Sequence, residues 1–169
     1  MQSIFWLLRA FLRLETERLH KRSVLLQVIG RRDRLAEPGL KEINKAESTT
    51  ASGDRLHLCV AIDYSSREAI TRAAADLIPS LSNEGPSSPD LFRPLLTQAM
   101  ITQGGEVDLL IRTGGEKRLS YFLLWESAYA ELLFTDRMWP EFDETDFEGA
   151  LEEFHRRERR FGGVQIISL

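Results

Sequence analysis

A compact group of cations and glycines in residues 112–120 has the composition of a phosphate-binding site. Its members are Arg112, Gly114, Gly115, Lys117, Arg118 and Ser120. Glycine lets the backbone approach a phosphate closely, and guanidinium groups bind phosphate oxygens in pairs. Because Ser120 can cap a following helix and add a hydroxyl beside free amides, the segment predicts a diphosphate-sized anion site. The alternative is an exposed loop whose cations are only solvated.

Two common nucleotide-binding patterns are absent from this segment, which we call the anion loop (residues 112–118). It matches neither the phosphate loop G-x-x-x-x-G-K-[ST] nor the dinucleotide fingerprint G-x-G-x-x-G. The sequence therefore gives little support to a binding site for ATP or NAD.

Glu131 is a candidate ligand for a divalent cation. It follows a helix predicted from Ser120 to about Ala130 and precedes an apolar run, where its carboxylate could face the anion loop. Mg²⁺ bridging this carboxylate and a diphosphate would be ordinary chemistry, and a surface carboxylate at a helix end is the alternative. No two of the three histidines have metal-ligand spacing, and Cys59 is interpreted as a core residue, so no zinc site is predicted.

Length and composition restrict the class of protein. The 169 residues fit one domain, 1–169, and the formal charge of -4 predicts no nucleic-acid partner. The single cysteine suits a reducing compartment. The apolar stretch Ile4–Leu8 is too short to span a bilayer and lacks the flanks of a signal peptide. We therefore expect a cytoplasmic location and no transmembrane segment.

Strands and helices are predicted to alternate around the anion loop. The expected strands are Val24–Ile29, Leu56–Ile62, Val107–Ile111 and Leu132–Thr135. The expected helices are residues 4–19, 38–47, Glu68–Ile78 and Ser120–Ala130. A last helix is predicted to begin at a capping box of Thr145 and Glu148 and to end at Gly162 and Gly163. Residues 79–89 are interpreted as a mobile loop. This order predicts an α/β fold, a mostly parallel sheet flanked by helices, with the anion loop at the carboxyl end of a strand.

The first predicted helix is amphipathic, so its apolar face must be buried against another apolar surface. Packing on a core, contact with a lipid surface, and forming the wall of an apolar ligand cavity all fit its pattern.

Several segments together resemble the C-terminal half of cis-prenyltransferases, the undecaprenyl diphosphate synthase family. They are Val107–Ser120, Phe122–Trp125, Tyr129–Glu131, Phe134–Thr135, Trp139–Pro140 and Arg157–Gly163. Looser similarity upstream, at Val24–Gly30, at Cys59–Tyr64 and at Arg67, extends the resemblance to the C-terminal two thirds of a family member. The resemblance implies an α/β fold with an apolar tunnel, and condensation of an allylic diphosphate with isopentenyl diphosphate in the presence of Mg²⁺.

The resemblance also implies roles for individual residues. Arg112, Arg118 and Ser120, with Gly114 and Gly115, would hold isopentenyl diphosphate, and Glu131 would help to place Mg²⁺. Arg160, Gly162 and Gly163 would lie in a dimer interface and reach the neighbouring site. The N-terminal helix would correspond to the family's tunnel-lining helix, which favours the ligand-cavity interpretation of its apolar face. Contact of this helix with a membrane surface is the alternative.

Departures from the family pattern restrict the functional hypothesis. The family's Asp-Gly-Asn-Gly-Arg loop, with its essential aspartate, has no counterpart, since the first glycine is Gly30. No catalytic residue is therefore assigned. The family's Asn-Tyr-Gly-Gly-Arg is here Asp63–Arg67, and an asparagine after the anion-site serine is here Tyr121. We expect a prenyltransferase-family protein that binds isopentenyl diphosphate but is inactive alone.

Partner and alternative functions follow from the same departures. A homo- or heterodimer is expected, in which a partner could supply the site for the allylic prenyl diphosphate. The alternatives are a non-catalytic binding or regulatory subunit of a heteromeric prenyltransferase, or a truncated gene product.

Overall fold

The computed structural model describes residues 2–81, 89–99 and 106–158. The chain divides into two compact units, Met1–Ser65 and Ser66–Leu169. Each unit contains helices and one two-stranded parallel sheet. The predicted α/β class is therefore confirmed.

The first unit is built from two helices and two strands. They are α1 (Gln2–Lys21), β1 (Val24–Gly30), α2 (Glu37–Thr50) and β2 (Leu56–Ile62). β1 and β2 pair in parallel from Val24 opposite Leu56 to Gly30 opposite Ile62. Alternate residues of β1 are buried, as the two-residue period of a strand requires, and they pack on α1 and α2. The centre of this core contains Leu12, Leu26, Val28 and Ile43.

Only one face of α1 is covered by this core. Leu8 and Leu12 are buried, whereas Trp6 is 66% exposed and Leu14 is 77% exposed. Core packing thus explains one stripe of the helix and leaves a second apolar stripe at the surface of the unit. Within the ranges described above, no helix is both long enough and apolar enough to cross a bilayer.

In the described residues, the second unit contains three α-helices and two short strands. They are α3 (Ser66–Leu81), α4 (Pro89–Ala99), β3 (Leu109–Arg112), β4 (Glu131–Phe134) and α5 (Glu144–Arg156). The strands pair in parallel from Leu109 opposite Glu131 to Arg112 opposite Phe134. α3 and α4 pack through Ala73 and Leu96. Residues 79–81 of the predicted mobile loop continue α3 and Pro89 begins α4, while residues 82–88 lie outside the described residues.

The helix predicted from Ser120 to Ala130 is wrong. Residues 120–129 form turns and bends, in which Ser120 has φ +57° and Leu123 has φ +49°. Two left-handed residues at this spacing prevent an α-helix from propagating. Local turns take its place, since the amide of Phe122 donates to the carbonyl of Leu119 at 3.1 Å and that of Ser127 to Leu123 at 3.0 Å.

The start and the end of α5 also differ from prediction. Asp143 is the N-cap, its carboxylate accepts from the amide of Asp146 at 3.0 Å, and Asp146 accepts from the amide of Asp143 at 3.2 Å. This is the capping box that the sequence placed at Thr145 and Glu148, because acidic residues recur through the region and several registers satisfy the pattern. The helix ends at Arg156, before Gly162 and Gly163, which lie outside the described residues.

Candidate functional site

The anion loop begins where β3 ends, because Arg112 is the last residue of that strand. Gly114 and Gly115 follow in left-handed conformations with φ of +80° and +72°. A side chain at Gly115 would also place its Cβ 3.2 Å from Oδ1 of Asp136. The glycine pair is therefore required by the turn itself.

The amides of both glycines are used inside the fold. Gly114 donates to the carbonyl of Arg137 at 2.7 Å, and Gly115 donates to the carbonyl of Thr135 at 3.0 Å. These bonds join the anion loop to the segment after β4, so the two amides are not available to a phosphate in this arrangement. A direct role for the glycines in binding stays a prediction.

Arg112 is half-buried at the root of the loop. Its Nε atom is buried and has no hydrogen-bond partner in the described part of the chain. A buried cationic donor without an acceptor costs free energy, which a bound anion would recover. Arg112 is thus the residue whose environment best matches an anion site.

Arg118, at the end of the loop, and Ser120, two residues after it, are exposed. Arg118 forms an ion pair with Glu116, and its side chain is 68% exposed. Ser120 does not begin a helix, so the expected free amides of a helix start are not found beside its hydroxyl. Any anion that binds Arg118 must therefore compete with Glu116.

Glu131 is placed away from the anion loop. It begins β4 opposite Leu109, whereas Arg112 lies opposite Phe134. At about 3.3 Å per residue, these positions are about 10 Å apart along the sheet.

The carboxylate of Glu131 is occupied by an arginine. It accepts a hydrogen bond from Nη1 of Arg157 at 2.9 Å, and the same nitrogen donates to the carbonyl of Leu132 at 3.0 Å. Arg157 also pairs with Glu153, and the bonds to Glu153 and then Glu131 raise the pKa of its guanidinium.

In the described ranges, no group of three histidine, cysteine, aspartate or glutamate side chains is arranged to hold a metal ion. As arranged, these residues do not fit Mg²⁺. Its binding at Glu131 stays a prediction that requires Arg157 to release the carboxylate.

A cavity of about 540 Å³ lies between β4, α5 and the anion loop. Its charged lining consists of Lys117, Asp146, Glu153 and Arg157, and the rest includes Leu132–Thr135, Phe142, Gly149 and Ala150. Lys117 is exposed where it lines this cavity.

Tyr121, a position at which the chain departs from the family pattern, contacts the segment that corresponds to the family's Asn-Tyr-Gly-Gly-Arg. Nη1 of Arg67 donates to the hydroxyl of Tyr121 at 3.2 Å, and the guanidinium lies 5.0 Å from the centre of the Tyr121 ring. The amide of Ser66 also donates to the carbonyl of Tyr121 at 2.8 Å. Tyr121 therefore ties the turn segment to the start of α3.

Sequence reasoning also missed Glu126, which is 3% exposed. Neither of its carboxylate oxygens has a hydrogen-bond partner within the described ranges. Glu126 lies in a turn segment rich in aromatic residues, and nothing in that sequence pattern indicates that its side chain is buried. The predicted interface residues Arg160, Gly162 and Gly163 lie outside the described residues.

Comparison with families of known proteins gives one match over most of the chain. Residues 1–162 match the family model described as "Putative undecaprenyl diphosphate synthase". Isoprenyl transferase 1 of Bradyrhizobium diazoefficiens is 52% identical over 167 residues, which are 98% of this chain and 65% of the relative. A ditrans,polycis-undecaprenyl-diphosphate synthase of Escherichia coli, specific for farnesyl diphosphate, is 44% identical over 89% of this chain and 60% of its own length. The chain thus spans just under two thirds of these relatives.

Solved structures agree with the sequence matches. A probable undecaprenyl diphosphate synthase from Campylobacter jejuni superposes with a TM-score of 0.78 at 35% identity, covering 95% of this chain and 74% of that one. Lavandulyl diphosphate synthase from Lavandula x intermedia, in complex with dimethylallyl diphosphate, superposes with a TM-score of 0.81 at 30% identity, covering 94% and 69%.

Proposed function

Because the chain belongs to the undecaprenyl diphosphate synthase family, we propose that its anion loop binds isopentenyl diphosphate for the synthesis of a cis-polyprenyl diphosphate. Arg112 and Arg118 neutralise the diphosphate, and the hydroxyl of Ser120 donates to one of its oxygens. The diphosphate is a poor ligand for a neutral loop but a good one for two guanidinium groups.

The observation that carries this proposal is the buried Nε of Arg112, which lacks an acceptor in the described part of the chain. Its position at the carboxyl end of β3 is where parallel sheets bind ligands. A diphosphate oxygen would satisfy this donor, and the hydrogen bonds of Gly114 and Gly115 to the segment after β4 position the turn that follows it. Arg118 then closes on the other side of the ligand after leaving Glu116.

An apolar cavity in the first unit supports an isoprenoid ligand. It measures about 210 Å³ and lies between α1 and the start of α2. Its lining is mainly apolar and includes Trp6, Leu8, Leu35, Pro38 and Ile43. Such a wall suits a hydrocarbon chain, in line with the tunnel-wall interpretation of α1.

We further propose that a polypeptide of these 169 residues does not transfer prenyl groups alone. It contains no Asp-Gly-Asn-Gly-Arg sequence for an allylic diphosphate. Its candidate metal ligand, Glu131, is paired with Arg157. Ionisation of an allylic diphosphate needs a cradle for the departing anion, which a second polypeptide would supply. A cytoplasmic location stays a prediction of the amino-acid composition.

Calorimetric titration with isopentenyl diphosphate tests the binding proposal. Arg112→Ala should weaken binding by about 1.5–3 kcal/mol, or roughly 10- to 150-fold, the range for hydrogen bonds to a charged group. Lys117→Ala is the matched control and should change little. Glu131→Gln tests whether Mg²⁺ tightens binding through that carboxylate. Affinity weaker than millimolar in the wild type, or equal binding by all variants, would show that the loop is only a solvated turn.

A non-catalytic subunit is the second candidate, and the exposed aromatic residues of the turn segment offer a surface on which such a subunit could contact a partner. Trp125 and Tyr129 are each 58% exposed, which is a large apolar surface for one small unit. A prenyl-transfer assay with farnesyl and isopentenyl diphosphates separates the candidates. Metal-dependent product from the purified chain at about 1 per second or more would exclude this role.

A further inference from the structure

Arg9 lies where two cavities of the first unit meet. It lines the apolar cavity of about 210 Å³ between α1 and the start of α2. It also lines a groove of about 320 Å³ along α1, which we call the α1 groove and whose other lining residues are Trp6, Ala10, Arg13 and Leu14. Because Trp6 and Arg9 border both spaces, a single ligand can extend from one into the other.

The guanidinium of Arg9 has an unsatisfied donor. Its Nε atom is buried and has no hydrogen-bond partner in the described part of the chain. Arg13 instead binds the carboxylate of Glu42, with Nη2 2.6 Å and Nε 2.7 Å from Oε1. The hydrogen bond from Arg13 is the main cause of the lowered pKa of Glu42, and the charge of Arg9 contributes less. A buried cationic donor without an acceptor costs free energy, which an anionic ligand at Arg9 would recover.

Arg9 and Arg13 bring two positive charges to the α1 groove. They are four residues apart and therefore neighbours on one side of the helix, where like charges repel. The carboxylate of Glu42 neutralises one of the two charges. A phosphate or carboxylate in the groove would neutralise the other, and guanidinium groups bind such oxygens in pairs. The groove thus has the charge and the donors to hold one anionic headgroup.

The cavity beside the groove suits a short hydrocarbon chain. Phe5, Leu8 and Ile43 contribute to its apolar walls, and Arg9 is the only charged residue among the described residues that line it. Gly39 of α2 also lines the cavity, and a Cβ added there would meet nothing within 4 Å. Apolar walls with a single polar group that fixes orientation are typical of small-molecule sites.

We propose that the cavity and the α1 groove together bind a small single-chain amphiphile with a phosphate or carboxylate head. The head lies between Arg9 and Arg13, and the chain lies in the cavity. The proposal rests on the hydrocarbon-binding role proposed above for this cavity, and it is independent of isopentenyl diphosphate binding at the anion loop. A space between two helices suits a single chain better than a bilayer, which an amphipathic helix contacts through an exposed face.

Calorimetric titration of the 169-residue chain with octyl phosphate and with octanoate, below their micelle-forming concentrations, tests the proposal. We expect one equivalent to bind, and the tighter of the two probes identifies the preferred head. Octanol, which lacks the charged head, and inorganic phosphate, which lacks the chain, should each bind at least about tenfold more weakly. Binding of both parts at one site is thereby separated from attraction of either part alone.

Two substitutions remove the two halves of the site. Arg9→Gln should weaken binding of the probe at least about tenfold, the effect of losing a hydrogen bond to a charged group. Gly39→Leu should weaken it by a similar factor, because the new side chain has open space at its Cβ and can fill the cavity. Leucine also favours a helix more than glycine does, so α2 should be retained.

Matched controls should leave the titration unchanged. Arg22→Gln removes an exposed arginine of the same unit that lines neither space. Gly149→Leu makes the glycine substitution in α5, where the added Cβ also has open space. Arg112→Ala weakens only the anion loop, so failure of this proposal and failure of isopentenyl diphosphate binding are distinguishable.

Three results would overturn the proposal. They are affinity weaker than millimolar for both probes, octanol binding as tightly as the charged probes, and equal affinity of the wild type and Arg9→Gln. Binding to vesicles of anionic lipid without binding of either probe would indicate a membrane contact instead. Circular dichroism verifies that each variant is folded, and Arg9→Lys, which lacks the Nε donor, serves if Arg9→Gln is not.

Discussion

Glu131 and Arg157 are joined by an ion pair of 2.9 Å, although 26 residues separate them in the chain. The pair ties the first residue of β4 to the residue that caps the end of α5. Both side chains are largely buried, at 27% and 29% exposure. A carboxylate that the family resemblance assigns to magnesium therefore has a structural partner in this chain.

Arg157→Gln should destabilise the second unit. The substitution removes the charged bonds to Glu131, Glu153 and the carbonyl of Leu132, so we expect the free energy of unfolding to fall by about 1–2 kcal/mol. Urea unfolding measures this change. Arg156→Gln, at the neighbouring exposed position, should stay within about 0.5 kcal/mol of the wild type. Equal effects of the two variants would mean that the ion pair contributes no stability.

Glu116→Gln should tighten the binding of isopentenyl diphosphate. Glu116 pairs with Arg118 in the free loop, and a diphosphate must replace that partner. Exposed ion pairs contribute about 0.2–1 kcal/mol, so the affinity should rise by no more than about fivefold. Calorimetry measures the change. A fall in affinity would indicate that Glu116 orients Arg118 towards the ligand instead of competing with it.

Asp143→Ala should destabilise α5, whereas Thr145→Ala should not. Asp143 is the N-cap and accepts a hydrogen bond from the amide of Asp146, whereas Thr145 lies inside the helix, two residues after the cap. Loss of a helix cap costs about 1 kcal/mol. Chemical unfolding of the two variants compares the observed cap with the one that the sequence favoured. A larger loss from Thr145→Ala would contradict the observed cap.

The strands of the fold were predictable because each is a short apolar run that ends at a polar or turn-forming residue. The bounds of β2 agree with prediction, and those of β1 differ by one residue at Gly30. Periodicity could not predict the turns at residues 120–129, because Ser120 and Leu123 adopt φ values that their side chains ordinarily avoid. Tertiary bonds hold this conformation, including the one between Ser66 and Tyr121.

The place of Arg112 at a strand end was predictable from the sequence, but the pairings of the other candidate residues were not. Composition identified Arg112 and its place at a strand end, and the structure confirms that place. The partners of Arg118 and Glu131 depend on which side chains come close in three dimensions, so neither ion pair could be read from spacing. The contact between Cys59 and His57 was missed because Cys59 was interpreted as a core residue, whereas the alternation of side chains along β2 places it with His57 on the face opposite the core.

Asp33 should remain ionised in unusually acidic solution. The side-chain hydrogen bond from Arg31, with its charge, lowers the pKa of the Asp33 carboxyl to about 2. This pKa lies below the value of about 3.9 for an aspartate in the unfolded chain. The ionised Asp33 carboxylate therefore stabilises the folded state at pH values above about 3.9, and this stabilisation is lost as the pH falls towards 2. Titration by nuclear magnetic resonance measures the pKa. Arg31→Gln should raise it towards the unfolded value, and an unchanged pKa would show that Arg31 is not the cause.

The purified chain should not be monomeric. Trp125 and Tyr129 expose large aromatic surfaces, and exposed apolar area of this kind favours association between proteins. Trp125→Ser should shift the sedimentation of the protein towards the monomer at micromolar concentration. The same change at Trp139 is the control, because that ring is 75% exposed and stacks on Phe142 of its own chain, so it shows what the loss of another exposed tryptophan does. A compact wild-type monomer would contradict association through the surface around Trp125. Equal shifts in sedimentation from the two substitutions would show that general hydrophobicity, and not the Trp125 surface, causes the association.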